Sequence, residues 1–266
     1  MRAFLFDIGG TNTRIAVSDR SGSLGKIKTF ATPQDYSQGI ETLVKEASGL
    51  LESNQVDIVF GGVPGPLNKE KESLIGAPNL PGWSNKPLKK NLESVFKTKV
   101  FLENDAALAG VGEAVWGAGK GFSIVAYLTV STGVGGARIV NGKIDNNALG
   151  FEPGHQIIDK FTTLEDLVSG KALEKRFSQK PEEIAKEEVW EEVARYLAIG
   201  VNNIIVTWSP EVVILGGAVM NKISLGKIRF YLGQFLKIFS QYPAVTTTSL
   251  KGLGGLYGAL ALSFGS

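Results

Sequence analysis

The segment Asp7-Ile8-Gly9-Gly10-Thr11-Asn12-Thr13-Arg14 joins two apolar stretches, residues 3–7 and 14–18, through a glycine pair and hydroxyl side chains. The flanking stretches have the composition of paired strands. Glycine lets backbone N–H groups approach a phosphate, and the two threonines and the arginine add further donors. The aspartate at the strand end offers the oxygen ligands that a hydrated Mg²⁺ prefers. A tight hairpin with polar turn residues is the alternative, and the segment alone leaves both open.

Two common nucleotide-binding motifs are missing from the chain. The nearest candidate for a P-loop, Gly112-Glu-Ala-Val-Trp-Gly117-Ala118, has no lysine. The nearest candidate for a dinucleotide fingerprint, Gly133-Val-Gly135-Gly136-Ala137-Arg138, lacks the final glycine. A P-loop enzyme and a standard Rossmann dehydrogenase are therefore disfavoured.

Composition narrows the classes further. The chain has 266 residues, which suggests two domains, and its net charge of +2 argues against a strongly electrostatic nucleic-acid binder. It has 33 glycines, against about 19 for an average composition, so backbone turns or close ligand approach are expected. It has no cysteine and one histidine, which excludes disulfides, Cys-containing zinc sites and a two-histidine metal site.

Strand and helix patterns alternate along the chain, which indicates an α/β fold with partly parallel sheets. We expect a strand hairpin at Asn141-Gly142, and one long helix that opens at Pro181 and runs toward Trp208. The apolar stretches 212–220 and 253–264 are shorter than the roughly 18 residues of a membrane helix. The N-terminal apolar run is too short for a signal peptide. These features favour a cytoplasmic protein without a membrane partner.

A weak internal repeat connects two glycine-rich segments. Asp7-Ile-Gly9-Gly-Thr-Asn-Thr-Arg14-Ile15 aligns with Ser131-Thr-Gly133-Val-Gly-Gly-Ala-Arg138-Ile139. Each copy follows an apolar strand. The identities are few, so chance similarity is the alternative. Two such hairpins facing each other would form a clamp for a polyphosphate.

The order of these segments resembles the ROK family of bacterial sugar kinases, close to its glucokinases, within the superfamily that also holds heat-shock chaperones and actin. Beyond the first phosphate loop at 7–14, the matching segments are Leu102-Glu-Asn104-Asp105-Ala-Ala, Thr129-Val-Ser-Thr132-Gly133-Val-Gly135-Gly136, Glu152-Pro-Gly-His155, Leu164-Glu165-Asp-Leu-Val-Ser169-Gly170 and Val213-Ile-Leu-Gly216-Gly217-Ala218. The resemblance implies a two-domain actin-like ATPase (ribonuclease H-like) fold with an active-site cleft between the domains. Residues 1–106 plus 246–266 would form the small domain, and residues 107–245 the large one.

The resemblance also implies a reaction and its residues. The reaction is transfer of the γ-phosphoryl group of Mg·ATP to the 6-hydroxyl of glucose, with Asp105 as general base. Asp7 would hold Mg²⁺ through water. The implied ATP-binding residues are Asp7, Gly9, Gly10, Thr11, Asn12, Arg14, Thr132, Gly133, Gly216, Gly217 and Ala218. The implied sugar-binding residues are Gly65, Asn79, Asn104, Asp105, Glu152, His155 and Glu165.

Several of these residues have plain structural alternatives. Asp105 could be a helix N-cap, Asn79 a turn residue and His155 an ordinary hydrogen-bonded histidine. Glu103 is interpreted as structural, and Trp83 as a packing residue rather than a sugar platform.

The chain departs from the family pattern at one point. Much of the ROK family binds a structural zinc through this histidine and three cysteines, and no cysteine is present here. We therefore expect no zinc site, and the support of the sugar loop and the role of Glu165 stay open.

The sequence leaves several alternatives to a glucokinase open. Another hexose (mannose, fructose or an N-acetyl hexosamine) or a polyphosphate donor would keep the enzyme class. The only hint of polyphosphate is a basic cluster, namely Lys86, Lys89, Lys90, Lys97 and Lys99. A non-catalytic sugar sensor is the alternative of another class, and Asp105 argues against it. The expected partners are a hexose and a nucleotide, with no nucleic acid, and family members are often dimers, so a homodimer is one expectation.

Overall fold

The computed structural model describes residues 1–51, 56–77 and 79–265. Contacts divide the chain into two compact units, which are Met1–Val115 with Leu253–Ser266 (unit 1) and Trp116–Gly252 (unit 2). The division after residues 106 and 245 stays a prediction about domains. By contacts, nearly all of the helix that begins at Asp105 belongs to unit 1.

Unit 1 contains a five-stranded sheet with the order β3-β2-β1-β4-β5. Its elements are β1 (Ala3–Ile8), β2 (Asn12–Ser18), β3 (Leu24–Ala31), α1 (Tyr36–Ser48), β4 (Ile58–Val63), α2 (Leu88–Phe96), β5 (Val100–Asn104), α3 (Asp105–Trp116) and α8 (Gly254–Phe264). Strands β1, β2 and β3 are antiparallel neighbours, whereas β1, β4 and β5 run parallel. The carboxyl ends of the three parallel strands therefore meet at one edge of the sheet.

Unit 2 contains a second five-stranded sheet, with the order β8-β7-β6-β11-β12. Its elements are β6 (Ile124–Val130), β7 (Val134–Val140), β8 (Lys143–Ile144), β9 (Ile157–Asp159), β10 (Thr162–Thr163), α4 (Leu164–Val168), α5 (Gly170–Phe177), α6 (Glu187–Trp208), β11 (Val212–Gly216), α7 (Leu225–Phe235) and β12 (Ala244–Thr247). The short β9 and β10 form a separate two-stranded sheet.

The two large sheets have the same topology. In each, three antiparallel strands are followed, across the sheet, by two strands parallel to the first. The aligned segments 7–15 and 131–139 occupy equivalent places, at the turn between the first two strands of each sheet. The weak sequence repeat therefore corresponds to a structural repeat, and the predicted α/β class is confirmed.

Apolar side chains bury both faces of the first sheet. Phe4 and Phe6 point to one face, in a core shared with α1 and α2, and Ala3 and Leu5 point to the other, in a core shared with α8. This alternation follows from the two-residue period of a strand. In unit 2, α6 buries its apolar side against the second sheet.

Glycines allow α3 and α8 of unit 1 to pack backbone against backbone. A Cβ added at Gly112 would collide with the carbonyl of Gly254, and one added at Gly258 would collide with the carbonyl of Leu108. Part of the glycine surplus therefore supports close helix packing as well as loops.

The prediction of one helix from Pro181 to Trp208 is wrong at its start. Residues Pro181–Glu183 form a 3₁₀ turn, and α6 begins only at Glu187. Between them Ile184 is buried, and its carbonyl accepts a hydrogen bond from the Trp190 indole (3.1 Å). Ile184 is part of the apolar core of unit 2, so packing fixes the backbone here in a non-helical path.

Two smaller expectations can be compared directly with the structure. The hairpin at Asn141 and Gly142 is confirmed, with positive φ at both residues (50° and 75°) as a tight primed turn requires. No helix formed by the described residues is long and apolar enough to cross a membrane.

Helix packing in unit 1 gives the first test. Gly258→Ala should lower the free energy of unfolding by about 2 kcal/mol or more, because its Cβ has to push the α3 backbone away. Gly226→Ala, in α7, is the matched control, since its Cβ would meet only Ser224 Oγ at 3.5 Å. The control should be neutral or stabilising by up to about 1 kcal/mol. Urea unfolding checks both, and equal effects would contradict the packing.

Candidate active site

The loop between β1 and β2 is held by the segment that follows β3. The Thr32 hydroxyl donates to the Gly9 carbonyl (2.8 Å), Gln34 Nε2 donates to the Gly10 carbonyl (3.1 Å), and the Thr32 N–H donates to the Thr11 carbonyl (2.8 Å). In a trans peptide the carbonyl and the next N–H point in opposite directions. The N–H groups of residues 10–12 therefore point to the other side of the loop. Such a row of N–H groups suits a phosphate.

The hydroxyl of Thr13 does not serve this loop as the sequence suggested. Thr13 is buried, and its Oγ1 bonds the Thr32 hydroxyl at 2.9 Å. Thr11 and Asn12 are exposed. The loop therefore presents backbone donors and one threonine hydroxyl rather than two.

Asp7 lies at the end of β1 in a slot formed by glycines. A Cβ at Gly62 of β4 would lie 3.4 Å from Asp7 Oδ1, and one at Gly255 of α8 would lie 2.6 Å from Asp7 Cγ. Arg14, its cross-strand partner, places Nη1 3.8 Å from Asp7 Oδ2. Burial raises the pKa of Asp7 to about 6, although Arg14 acts in the opposite direction.

Asp105 lies at the same edge of the sheet as Asp7. Gly62 separates the two aspartates, because its added Cβ would stand 3.3 Å from Asp105 Cα as well as near Asp7. The N-cap interpretation of Asp105 is wrong, since Asn104 holds that position and its Oδ1 accepts the Ala107 N–H at 3.0 Å. Asp105 is the first residue of α3.

The residues around this pair are fixed by specific contacts. Asn104 Nδ2 donates to the carbonyl of Gly65 (3.3 Å), so Asn104 connects β5 to the loop after β4. Gly65 has a φ of +120°, and a Cβ there would collide with the Gly76 carbonyl, so only glycine fits. Glu103 forms an ion pair with Lys71, which confirms its structural interpretation.

Asn79 and Trp83 have different environments. Asn79 is exposed. A Cβ added at Gly10 would lie 2.7 Å from the Asn79 Cβ, so Asn79 lies directly beside the first phosphate loop. Trp83 is buried, donates its indole N–H to the Pro33 carbonyl (3.0 Å) and packs edge-on against Tyr36. The packing interpretation of Trp83 is confirmed.

The equivalent loop of unit 2, between β6 and β7, is held in a similar way. The N–H of Gly170, at the start of α5, donates to the Ser131 carbonyl (2.7 Å), and the N–H of Lys171 donates to the Thr132 carbonyl (3.1 Å). Because a trans peptide directs its carbonyl and the next N–H oppositely, the N–H groups of Thr132 and Gly133 point to the opposite side. Both loops of the repeat therefore present backbone donors on one side.

Glu165, expected to contact the sugar, lies against this second loop. Its Oε2 accepts the Val134 N–H at 2.7 Å, and a Cβ at Gly133 would stand 2.7 Å from the same oxygen. Burial raises the pKa of Glu152. The nearby His155 acts to lower the pKa of Glu152, and the nearby Glu165 acts to raise it further. The structure therefore brings Glu152, His155 and Glu165 together.

Glu152 precedes a 3₁₀ turn, Pro153–His155, that ends at His155 and packs on β7. A Cβ at Gly154 would collide with the Val134 carbonyl, so only glycine allows this approach. Both side chains border a cavity of about 430 Å³, together with Gln156 and Asn203. Sequence reasoning missed the last two residues, since neither lies in a motif.

The proposed adenosine loop follows β11. Gly217 has a φ of +96°, and its Cβ would collide with the Val130 carbonyl. A Cβ at Gly216 would stand 2.6 Å from Thr248 and 2.8 Å from the Tyr127 hydroxyl. Residues Ala218–Lys222 continue as a 3₁₀ turn. Across the described ranges, no group of three or more His, Asp or Glu side chains is arranged to hold a metal ion.

Comparison with known proteins agrees with this architecture. The sequence profile described as "ROK family" matches residues 5–265. A ROK hexokinase from Thermus thermophilus superposes with a TM-score of 0.85 at 27% identity, over 100% of this chain and 99% of that one. A ROK glucokinase from Streptomyces griseus, solved with glucose and AMPPNP, gives a TM-score of 0.84 at 25% identity, over 100% of both chains. A fructokinase from Lactococcus lactis is 27% identical over 96% of each chain.

These matches extend along almost the whole chain, and the structural neighbours have the two-domain actin-like ATPase fold that the sequence predicted. The profile match covers the segments from the first phosphate loop to α8. The protein is therefore a member of the ROK family.

Proposed function

We propose that this protein is an ATP-dependent hexose kinase, with glucose as the favoured acceptor, that transfers the γ-phosphoryl group of ATP to the sugar 6-hydroxyl. The observation that carries the proposal is the position of Asp7 and Asp105 on either side of Gly62, beside a loop with a row of N–H groups. Kinase relatives that act on hexoses support it.

Asp105 is proposed as the general base. Its carboxylate accepts the proton of the sugar hydroxyl while that oxygen bonds the γ-phosphorus and the bond from the γ-phosphorus to the bridging oxygen breaks, leaving ADP. A positioned base contributes about 10²–10⁴ in rate. Asn104 supports the base, because it caps α3 and fixes the strand end that precedes Asp105.

The two glycine loops are proposed to bind the phosphates. Backbone N–H groups at residues 10–12 and 132–133 donate to phosphate oxygens, and Arg14 adds a positive charge beside Asp7. Donors that are already fixed by carbonyl contacts need no reorganisation as charge develops. The bare backbone at Gly216, Gly217 and Ala218 is proposed to receive the adenosine.

Asp7 fits the role proposed for it with Mg²⁺. It is a carboxylate at a strand end, and Mg²⁺ prefers oxygen ligands and keeps several waters, so one protein ligand is adequate. When bound, the ion would neutralise phosphate charge. Burial raises the pKa of Asp7 to about 6, which is below neutral pH, so the carboxylate can bind a cation there.

Sugar recognition is proposed for Gly65, Asn79, Asn104, Glu152, His155 and Glu165. Carboxylate and imidazole groups bond sugar hydroxyls in pairs, and a site built this way rejects analogues that lack a hydroxyl. Glu152 and His155 lie at the two ends of one short turn, so both side chains can bond the same sugar. Glu165 already uses Oε2 on the second phosphate loop, so Oε1 is the oxygen proposed for the sugar.

The test is sugar-dependent ADP formation by the purified protein. Glucose, mannose, fructose and N-acetylglucosamine are compared with ATP or polyphosphate as donor, with and without Mg²⁺. We expect Mg²⁺-dependent turnover with ATP and at least one hexose, and the most efficient acceptor should be glucose. Glucose binding with no turnover of any sugar by either donor would favour the non-catalytic sensor.

The role of Asp105 gives a specific prediction. Asp105→Asn should lower kcat by about 100-fold or more while the KM for sugar changes little, because the amide cannot take the proton. Glu103→Gln is the matched control two residues away, where only the ion pair with Lys71 is lost. The control should keep kcat within about threefold. Near-full turnover of Asp105→Asn would overturn the assignment.

The buried state of Asp7 predicts how stability depends on pH. Folding raises its pKa from 3.8 to about 6, so its contribution to stability is full below pH 3.8 and is lost as pH rises through 6. The asparagine of Asp7→Asn does not ionise. The free energy of unfolding of this variant, relative to that of the wild type, should therefore increase by about 2 kcal/mol between pH 4.5 and 7.5.

This is measured by denaturant unfolding without nucleotide and with a chelator. Asp159→Asn, at an exposed position in β9, controls for the change of net charge. A stability difference for Asp7→Asn that stays constant over the pH range would contradict the account.

A further inference from the structure

Gln156 connects three parts of unit 2 around the turn that carries Glu152 and His155. Its Nε2 donates to the carbonyl of Pro153 within the turn (2.8 Å). Its Oε1 accepts a hydrogen bond from Nδ2 of Asn203 on α6 (3.0 Å). Its backbone carbonyl accepts the N–H of Leu164 (2.9 Å), the first residue of the helix that carries Glu165.

Beyond the turn, the segment that leads to α4 adds only limited apolar packing. The segment between His155 and Leu164 contains only the short strands β9 and β10. Two of its apolar side chains, Ile157 and Phe161, are 63% and 95% exposed, whereas Ile158 packs against the core of unit 2. The chain has no cysteine, so no disulfide or cysteine-bound metal can brace the segment. Directed hydrogen bonds therefore supply part of the constraint, beside the packing of Pro153 and Gly154 on β7.

A neutral amide is suited to this position for an electrostatic reason. Three carboxyl groups already lie around His155: the histidine acts to lower the pKa of Glu152 and of Asp166, and Glu165 acts to raise that of Glu152. A fourth carboxylate would add repulsion within this group. The amide offers one donor and one acceptor in fixed directions without adding charge.

We infer that Gln156, held by Asn203, is a positioning residue that sets the sugar-binding geometry of Glu152 and His155. The inference rests on the proposed function, and it adds two residues that no motif marks. Gln156 acts through the turn and is not itself required to touch the sugar. Its loss should therefore weaken sugar recognition more than nucleotide binding or the chemical step.

The principal test is Gln156→Met. The substitution keeps the length of the side chain and removes the two side-chain hydrogen bonds, to Pro153 and to Asn203. We expect the KM for glucose to rise about tenfold, with the KM for ATP within about twofold and kcat at saturating sugar within about threefold. Gln179→Met, an exposed glutamine of the same unit, is the matched control and should match wild type.

Asn203→Ala tests the same bond from α6 without changing the sugar loop. It should raise the KM for glucose in the same direction, by a smaller factor. The double variant should show no more than the effect of Gln156→Met, because both changes remove one shared interaction. This variant also keeps the test valid if Gln156→Met folds poorly.

The outcomes separate the inference from the proposed function. A glucose KM equal to that of wild type in both variants, or an equal rise of both KM values with falling kcat, would overturn the positioning role. Active wild type with unchanged variants would defeat the inference alone. If wild type neither binds glucose by calorimetry nor turns over any sugar, both the proposed function and the inference fail.

Discussion

The arrangement of unit 1 depends on the space that glycine leaves around the Asp7 carboxylate. Parallel strands bring the ends of β1, β4 and β5 to one edge, and there Asp7, Gly62 and Asp105 crowd together. A side chain at Gly62 or at Gly255 of α8 would occupy the space beside Asp7. Because these positions carry no Cβ, two carboxylates with different proposed tasks can share the edge of one sheet. Burial also holds the pKa of Asp7 near 6, close to physiological pH.

The same design appears twice in the chain. Each sheet turns from its first strand to its second through a glycine-containing loop, and a following segment binds the loop carbonyls. In unit 1 that segment follows β3, whereas in unit 2 it is the start of α5. Different partners therefore produce the same orientation of peptide groups, which explains why the sequence repeat is weak while the structural repeat is clear. Glu165 connects the second loop to the group that includes His155, so proposed sugar and phosphate recognition share one carboxylate.

The features that were predictable from sequence are local ones. The hairpin around Gly9 and Gly10, the turn at Asn141 and the helix after Asp105 follow from short-range patterns of glycine, apolar residues and turn formers. Failures arise where a distant contact decides. Ile184 is buried in the core of unit 2 where the sequence predicts a helix, and Asn104, which caps α3 through Oδ1, is also held by a bond from Nδ2 to the distant Gly65 carbonyl. The pairing of Gln156 with Asn203 spans 47 positions and leaves no periodic signal.

If this protein is a hexose kinase, it makes a phosphate ester on a hexose hydroxyl. Phosphorus NMR of the reaction of glucose with Mg·ATP tests it most directly, because chemical shift and proton coupling identify both the bond formed and the carbon that carries it. We expect equal amounts of ADP and of an ester at the 6-position, with no free phosphate. ADP accompanied only by inorganic phosphate, or an ester at the anomeric carbon, would contradict it.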